Sequence, residues 1–166
     1  MSHLTISLQK ALASDIPLIY QLAEKIWHYH YTPIIGKNQV DYMLNNMYSK
    51  ESLTRQMEIE GQVFHFILLD EKSIGFISTS QKGSDCFIHK FYIDQDEQGK
   101  GIGSHVFQNI QQLYPTSKSF TLTVNRKNYK SINFYFKIGF KIDHVDDFDI
   151  GNGYYMNDFI MKKNIL

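Results

Sequence analysis

An intrachain disulfide is excluded at the outset, because the 166-residue chain holds a single cysteine, Cys86. A lone thiol with no obvious base beside it is most often an inert core residue, which suits a reducing cytosol. Net charge is missing as well: 17 Lys plus Arg offset 17 Asp plus Glu. No broad basic field therefore exists to hold a nucleic-acid backbone or an anionic membrane, and any bound anion must sit in a local site. No uninterrupted apolar run approaches the ~18 residues of a membrane span. The start, "MSHLTISLQK", carries neither the basic n-region nor the apolar h-region of an export signal. The expectation is a cytoplasmic protein with no nucleic-acid or membrane partner and no metal.

What is present suffices for one core. Apolar residues make up 43% of the chain and aromatics 14%, ample for a single domain over residues 1–166. Leu4 to Gln9 alternates like a strand, and Ser14 is a candidate N-cap for a helix carrying Ile19, Leu22, Ala23, Ile26 and Trp27. A second helical stretch holds Val40, Met43, Leu44 and Met47, and a third spans roughly Lys50 to Glu60. "VFHFILL" (63–69), the turn "DEKS" and "IGFISTS" read as a hairpin. "CFIHKFYI" (86–93) is a strand, Ile102, Val106, Ile110 and Leu113 mark a helix, and "FTLTV" (120–124) is a strand again. Asn128 to Ile138 follows as a helix with Ile132, Tyr135 and Phe136 on one face and Gly139 at its C′ position. Strands around Lys141–Asp147 and Tyr154–Lys162 complete an α/β fold: a mixed, mostly antiparallel sheet of about seven strands flanked by helices on both faces.

The stretch "DEQGKGIGSH" (96–105) packs three glycines between a strand and a helix. Unpaired N–H groups at a helix N-terminus, aided by the dipole, make a ready site for phosphate oxygens, and glycine lets the phosphate approach the backbone. A Walker loop is excluded because Lys100 precedes Gly101 instead of following the last glycine. A dinucleotide fingerprint is excluded because the spacing of Gly99, Gly101 and Gly103 is wrong and the next strand ends "LTVN", without an acid.

The remaining pattern, Gln98-x-x-Gly101-x-Gly103, resembles the Q/R-x-x-G-x-G/A signature of the GNAT superfamily of N-acetyltransferases. "VNRKNYKSINFYFKIGF" (124–140) is similar to that family's second motif, with Asn128, Ser131, Tyr135, Gly139 and Phe140 at its fixed offsets. The resemblance covers residues ~60 to 162. "IWHYHY", "DYML" and "MYS" resemble the spermidine/spermine-type branch.

The resemblance implies acetyl-CoA as cosubstrate and direct transfer of its acetyl group to a primary amine in a ternary complex. It places the pyrophosphate on the amides of Gln98, Gly99, Lys100, Gly101, Ile102, Gly103 and Ser104. The pantetheine pairs as an extra strand with Phe91, Tyr92 and Ile93, where a bulge splays the strand from "FTLTV" and a main-chain N–H can hold the oxyanion. Asn128 and Ser131 contact the cofactor, and Lys100, Arg126, Lys127 and Lys130 are near enough in sequence to help with phosphates. Tyr135 stands at the family's general-acid position. His89 fills the place where relatives carry a basic glutamate and is the candidate base.

The acceptor pocket falls to "IWHYHY" (26–31) and "DDFDIGNGYY" (146–155), whose rings and whose Asp146, Asp147 and Asp149 suit an ammonium. Core packing and a solvated turn are the competing readings, and the acceptor is left open among polyamine, amino acid, antibiotic and protein N-terminus. A non-catalytic acyl-CoA sensor and a partner-binding domain of the same fold also stay open, and a homodimer is compatible with such a fold.

Overall fold

A computed structural model describes residues 4–165. Strand β1 (Ile6–Lys10) leads through a 3₁₀ turn (Ala13–Asp15) to helices α1 (Ile16–His30), α2 (Thr32–Ile35), α3 (Lys37–Met47) and α4 (Lys50–Glu58). Strands β2 (Val63–Leu69), β3 (Lys72–Lys82) and β4 (Asp85–Ile93) follow, then α5 (Ile102–Leu113), β5 (Ser119–Asn125), α6 (Tyr129–Lys137), β6 (Lys141–Gly151) and β7 (Tyr154–Asn164). All seven strands form one sheet in the order β1-β2-β3-β4-β5-β7-β6. Only β4 and β5 run parallel, and α5 is the crossover that a parallel connection requires. One core cluster lies under α5 and α6, the other under α1, α3 and α4, so helices cover both faces as expected.

Local chemistry explains the differences in detail. Ser14 falls inside the 3₁₀ turn and does not cap α1; Asp15 takes the N-cap position of α1 without a side-chain cap bond, its carboxylate instead accepting the Leu12 N–H at the start of the 3₁₀ turn at 2.8 Å. Pro17 in the first turn suits the start of α1. The short α2 was not expected, and Gly36 at φ 85 closes it. The first hairpin turns on Asp70 and Glu71 alone, at φ 50 and 80, because paired left-handed residues match the twist of the flanking strands. On α6, Ile132 and Tyr135 are buried while Phe136 is 47% exposed, so Phe136 does not share the apolar face. Gly139 at φ 101 does close that helix, with the Phe140 N–H donating to the Tyr135 carbonyl at 2.9 Å.

The feature that positions the site is the short reach of the parallel pair. β4 and β5 are in register only from Asp85↔Ser119 to Ile88↔Leu122. On the other edge of β4, Ser78 faces Lys90 and Thr79 faces Ile88, which leaves His89 as the extra residue of a β-bulge. A bulge bends its strand and adds local twist, and beyond it β4 and β5 diverge. Across from the diverging part, Gly75 of β3 allows close approach: a Cβ there would sit 2.1 Å from the Tyr92 carbonyl oxygen. Gly75→Ala should lower stability by about 2–3 kcal/mol in urea unfolding, because backbone cannot yield as a side chain does.

Candidate active site

The three glycines between β4 and α5 serve two separate physical needs. Gly99 and Gly101 adopt φ 84 and 72, left-handed backbone, and a Cβ on either would meet nothing within 4 Å. Their surroundings are open space of the kind an approaching ligand needs. Gly103 is ordinary helical backbone, but a Cβ there would lie 2.8 Å from Cζ of Phe134, so its bareness lets α5 pack on α6. The first intrahelical bond of α5 runs from the His105 N–H to the Gly101 carbonyl. The amides of Ile102, Gly103 and Ser104 precede it and point out of the helix end, a site for anionic oxygens.

A cleft runs from this loop along the freed edge of β4. Gln98, Gly99, Gly101, Ile102, Gly103 and Ser104 line its mouth, Phe91, Tyr92 and Ile93 one wall, and Asn128, Ser131 and Tyr135 the other, with His89 at its end. The Gln98 amide donates to the Ile93 carbonyl at 2.8 Å and its oxygen accepts from Lys130 Nζ at 2.5 Å, which ties the loop to the strand. Lys100 is the one expected loop residue that does not line the cleft; its ammonium sits on Glu97 at 3.0 Å. Arg126 is bound to Asp147 at 2.7 Å, so of the basic residues singled out, Lys130 is the one that reaches the cleft.

Asn128 is buried and builds the site from within. Its Oδ1 caps α6 through the Ser131 N–H at 3.3 Å and lies 3.0 Å from His30 Nε2. Its Nδ2 donates to the Tyr31 hydroxyl at 3.5 Å. This docks the end of α1 against α6 and brings Tyr31 beside Tyr92, with ring centroids 6.3 Å apart. Burial pushes the Tyr31 phenol up to about 12 and raises those of Tyr92 and Tyr135 further. All three keep their protons at neutral pH and can donate a hydrogen bond to an anion.

On the other side of the sheet a second cleft opens under α1, α3 and α4, lined in part by Trp27, Met43, Tyr48, Glu60, Lys90 and Asp158. The two clefts share Tyr31, His89, Tyr92, Thr123 and Val124, so they meet where β4 and β5 part. His89 stands at that junction with Nε2 2.7 Å from Ser80 Oγ. Burial, and then Lys90 and Lys82, lower its pKa to about 4. Lys90 donates to Gln56 Oε1 at 2.7 Å and to Gln62 Oε1 at 3.2 Å, and burial, opposed by Glu60, lowers its pKa to about 8. Cys86 is fully buried, and burial followed by Asp85 pushes its thiol up to about 12.

Comparison with known proteins decides the family, since the model of the acetyltransferase (GNAT) domain matches residues 31–154. The chain belongs to the GNAT acetyltransferase family. Acetyl-CoA is the cosubstrate of this N-acetyltransferase family. A spermidine N(1)-acetyltransferase of Thermoplasma acidophilum is 23% identical over 96% of this chain and 98% of its own. A peptidyl-lysine N-acetyltransferase of Salmonella typhimurium is 28% identical over 63% of this chain and 70% of its own. Among solved structures, the PaiA N-acetyltransferase of Thermoplasma acidophilum in complex with coenzyme A superposes with a TM-score of 0.78 at 24% identity, over 97% of this chain and 99% of that one. A GCN5-related N-acetyltransferase from Rhodopseudomonas palustris reaches 0.81 at 18% identity, each chain covered to 99%.

In this GNAT chain Asp146, Asp147 and Asp149, left open between an ammonium site and a solvated run, are exposed. Asp147 pairs with Arg126, Asp149 accepts the Gly151 N–H at 2.9 Å, and Asp146 accepts the Asp147 N–H at 2.9 Å, and none of the three lines either cleft. Asp158, Lys90 and Glu60 do line the second cleft and were missed. For Asp158 the signal was weak: it sits in the polar pair Asn157-Asp158 ahead of the apolar Phe159–Met161. Gly101→Glu should fold with a modest loss of stability, since its Cβ meets no atom but φ 72 is left-handed backbone, and should weaken acetyl-CoA binding at least ~100-fold by placing a carboxylate at the anion site. Gly103→Ala should instead show as a lowered melting temperature through the Phe134 clash. Calorimetric titration and thermal melts of both variants check this.

Proposed function

We propose that this protein moves the acetyl group of acetyl-CoA directly to a primary amine, both substrates being bound together. The meeting of two clefts at the β4/β5 splay carries this reading, because a thioester lying along β4 and an amine entering from α1–α4 reach the same point from opposite faces. The freed edge of β4 suits the amides of pantetheine as an added strand would, and the amides at the start of α5 suit the pyrophosphate. Effective concentration and orientation then supply much of the acceleration. A ping-pong route through a cysteine finds no support, since Cys86 is fully buried and its thiol keeps its proton.

Tyr135 is the acid in this reading. It lies on the cofactor side, packed edge-on against Phe91 with centroids 6.5 Å apart, where its phenol would meet the departing thiolate. His89 stays neutral across the physiological range; a ring that takes up a proton only near pH 4 draws little charge from an ammonium of pKa near ~10. The acceptor is an alkyl primary amine, a group shared by spermidine and peptidyl-lysine, on which the named relatives act.

Initial-rate kinetics with acetyl-CoA and an amine panel should give intersecting double-reciprocal lines; parallel lines would overturn the ternary complex. Tyr135→Phe should bind acetyl-CoA as the wild type does and lose roughly 10²-fold in kcat. Unchanged kcat would remove Tyr135 from proton transfer.

A further inference from the structure

One carboxylate at the splay has no part in the chemistry above. Asp158 lies on β7 opposite Asn125 of β5, three residues past Leu122, where β5 last pairs with β4. It is 4% exposed and lines the second cleft. No salt bridge neutralises it among the described residues: the nearby Arg126 guanidinium donates to the backbone carbonyls of Asp158 and Asp146, each at 3.3 Å, and to the carboxylate of Asp147 at 2.7 Å. A buried carboxylate without a cationic partner is costly and rare. Thr123 bonds this carboxylate and Arg126 acts on it only at a distance; an arriving ammonium is the close cationic partner it lacks among the described residues.

We propose that Asp158 is the general base of acetyl transfer, receiving the acceptor's ammonium in the second cleft and removing the proton that blocks attack. This rests on the acetyl-transfer reading above and adds the residue that His89 does not supply. The groups around Asp158 are Thr123 and Asn125 on β5, Asp146 and Asp147 on β6, Arg126, Tyr31 at the end of α1, His89 and Lys90 across the splay, and Glu60 beyond α4. Burial raises the carboxyl to about 6; Arg126 and Thr123 oppose that rise and Asp147 adds to it. The group is thus ionised at neutral pH, yet more basic than an ordinary carboxylate.

The proton ledger closes. The ammonium gives one proton to Asp158, which passes it to solvent. The neutral amine forms the C–N bond, the C–S bond breaks with its electron pair leaving on sulfur, and the Tyr135 phenol protonates the thiolate. The second proton shed by nitrogen restores that phenol, giving amide, thiol and one released proton. Acid and base lie on opposite faces of the sheet, Tyr135 in the cluster under α5 and α6 and Asp158 in the cleft under α1, α3 and α4.

The test compares wild type, Asp158→Asn and Asp146→Asn at saturating acetyl-CoA, with spermidine and Nα-blocked lysine as acceptors. In the wild type, kcat should fall about tenfold per unit as pH drops below about 6. Asp158→Asn should lose roughly 10²-fold in kcat together with that acid limb, and bind acetyl-CoA unchanged by calorimetry. Asp146→Asn should match the wild type.

Stability gives a second readout. The folded pKa, about 6, exceeds the ordinary 3.8, so the stabilising contribution is full below the unfolded value and is lost as pH rises through about 6. Asp158→Asn should therefore melt above the wild type at pH 8, with the gap closing by pH 4. Wild-type turnover that Asp158→Asn leaves within threefold, acid limb intact, overturns the base alone. A variant melting below the wild type at pH 8 makes Asp158 a structural anchor and overturns it too. Wild type that binds acetyl-CoA and acetylates no amine overturns the acetyl-transfer reading and the base with it.

Discussion

Four residue pairs of parallel β-sheet, Asp85↔Ser119 to Ile88↔Leu122, carry the architecture on which the site depends. A parallel pair forces a crossover, and α5 supplies it, so the N-terminus of α5 stands at the C-terminal end of β4. That is where open α/β sheets gather ligands, because helix-end amides and free strand ends converge there. Had the pair continued, β4 would have no bare edge and the two faces of the sheet would not communicate. The bulge at His89 ends the pairing and opens both.

The divergence has an electrostatic consequence. Ionisable groups placed around the gap lose solvent without all gaining partners, so burial dominates their titration: upward for Tyr31, Tyr92, Tyr135 and Asp158, downward for His89 and Lys90. Groups shifted toward neutrality by the same cause, on opposite sides of one opening, are suited to trade protons with a substrate. The cost is borne by the surrounding core, where the rings of Trp27, Tyr48, Phe76 and Tyr92 pack in edge contacts at 5.6 to 6.1 Å. Aromatic rings line this side of the gap.

The glycine loop shows how one sequence pattern conceals two causes. Gly99 and Gly101 are required by backbone sign, Gly103 by the ring of Phe134. Spacing alone treats the three alike, and only the packing of α5 on α6 separates them. Asn128 is similar: its place in the second motif was readable, but its bonds to Ser131, His30 and Tyr31 depend on where α1 ends in space.

Local patterning was enough to read the seven strands, the helices flanking them and the loop before α5, since period, turn chemistry and motif offsets are short-range properties. Boundaries failed where competition is also local, as at Ser14, displaced by Asp15, and at Phe136, one residue off the buried stripe of α6. The acceptor side was not readable. Asp146, Asp147 and Asp149 announced themselves by clustering, yet β6 is the sheet edge and carries them into solvent, or onto Arg126. Asp158, which follows Asn157 just before the apolar Phe159–Met161, is brought into the cleft because β7 inserts between β5 and β6. Which carboxylate lines the second cleft is set by strand order and by where two strands part, and those are long-range pairings that no short window of sequence contains.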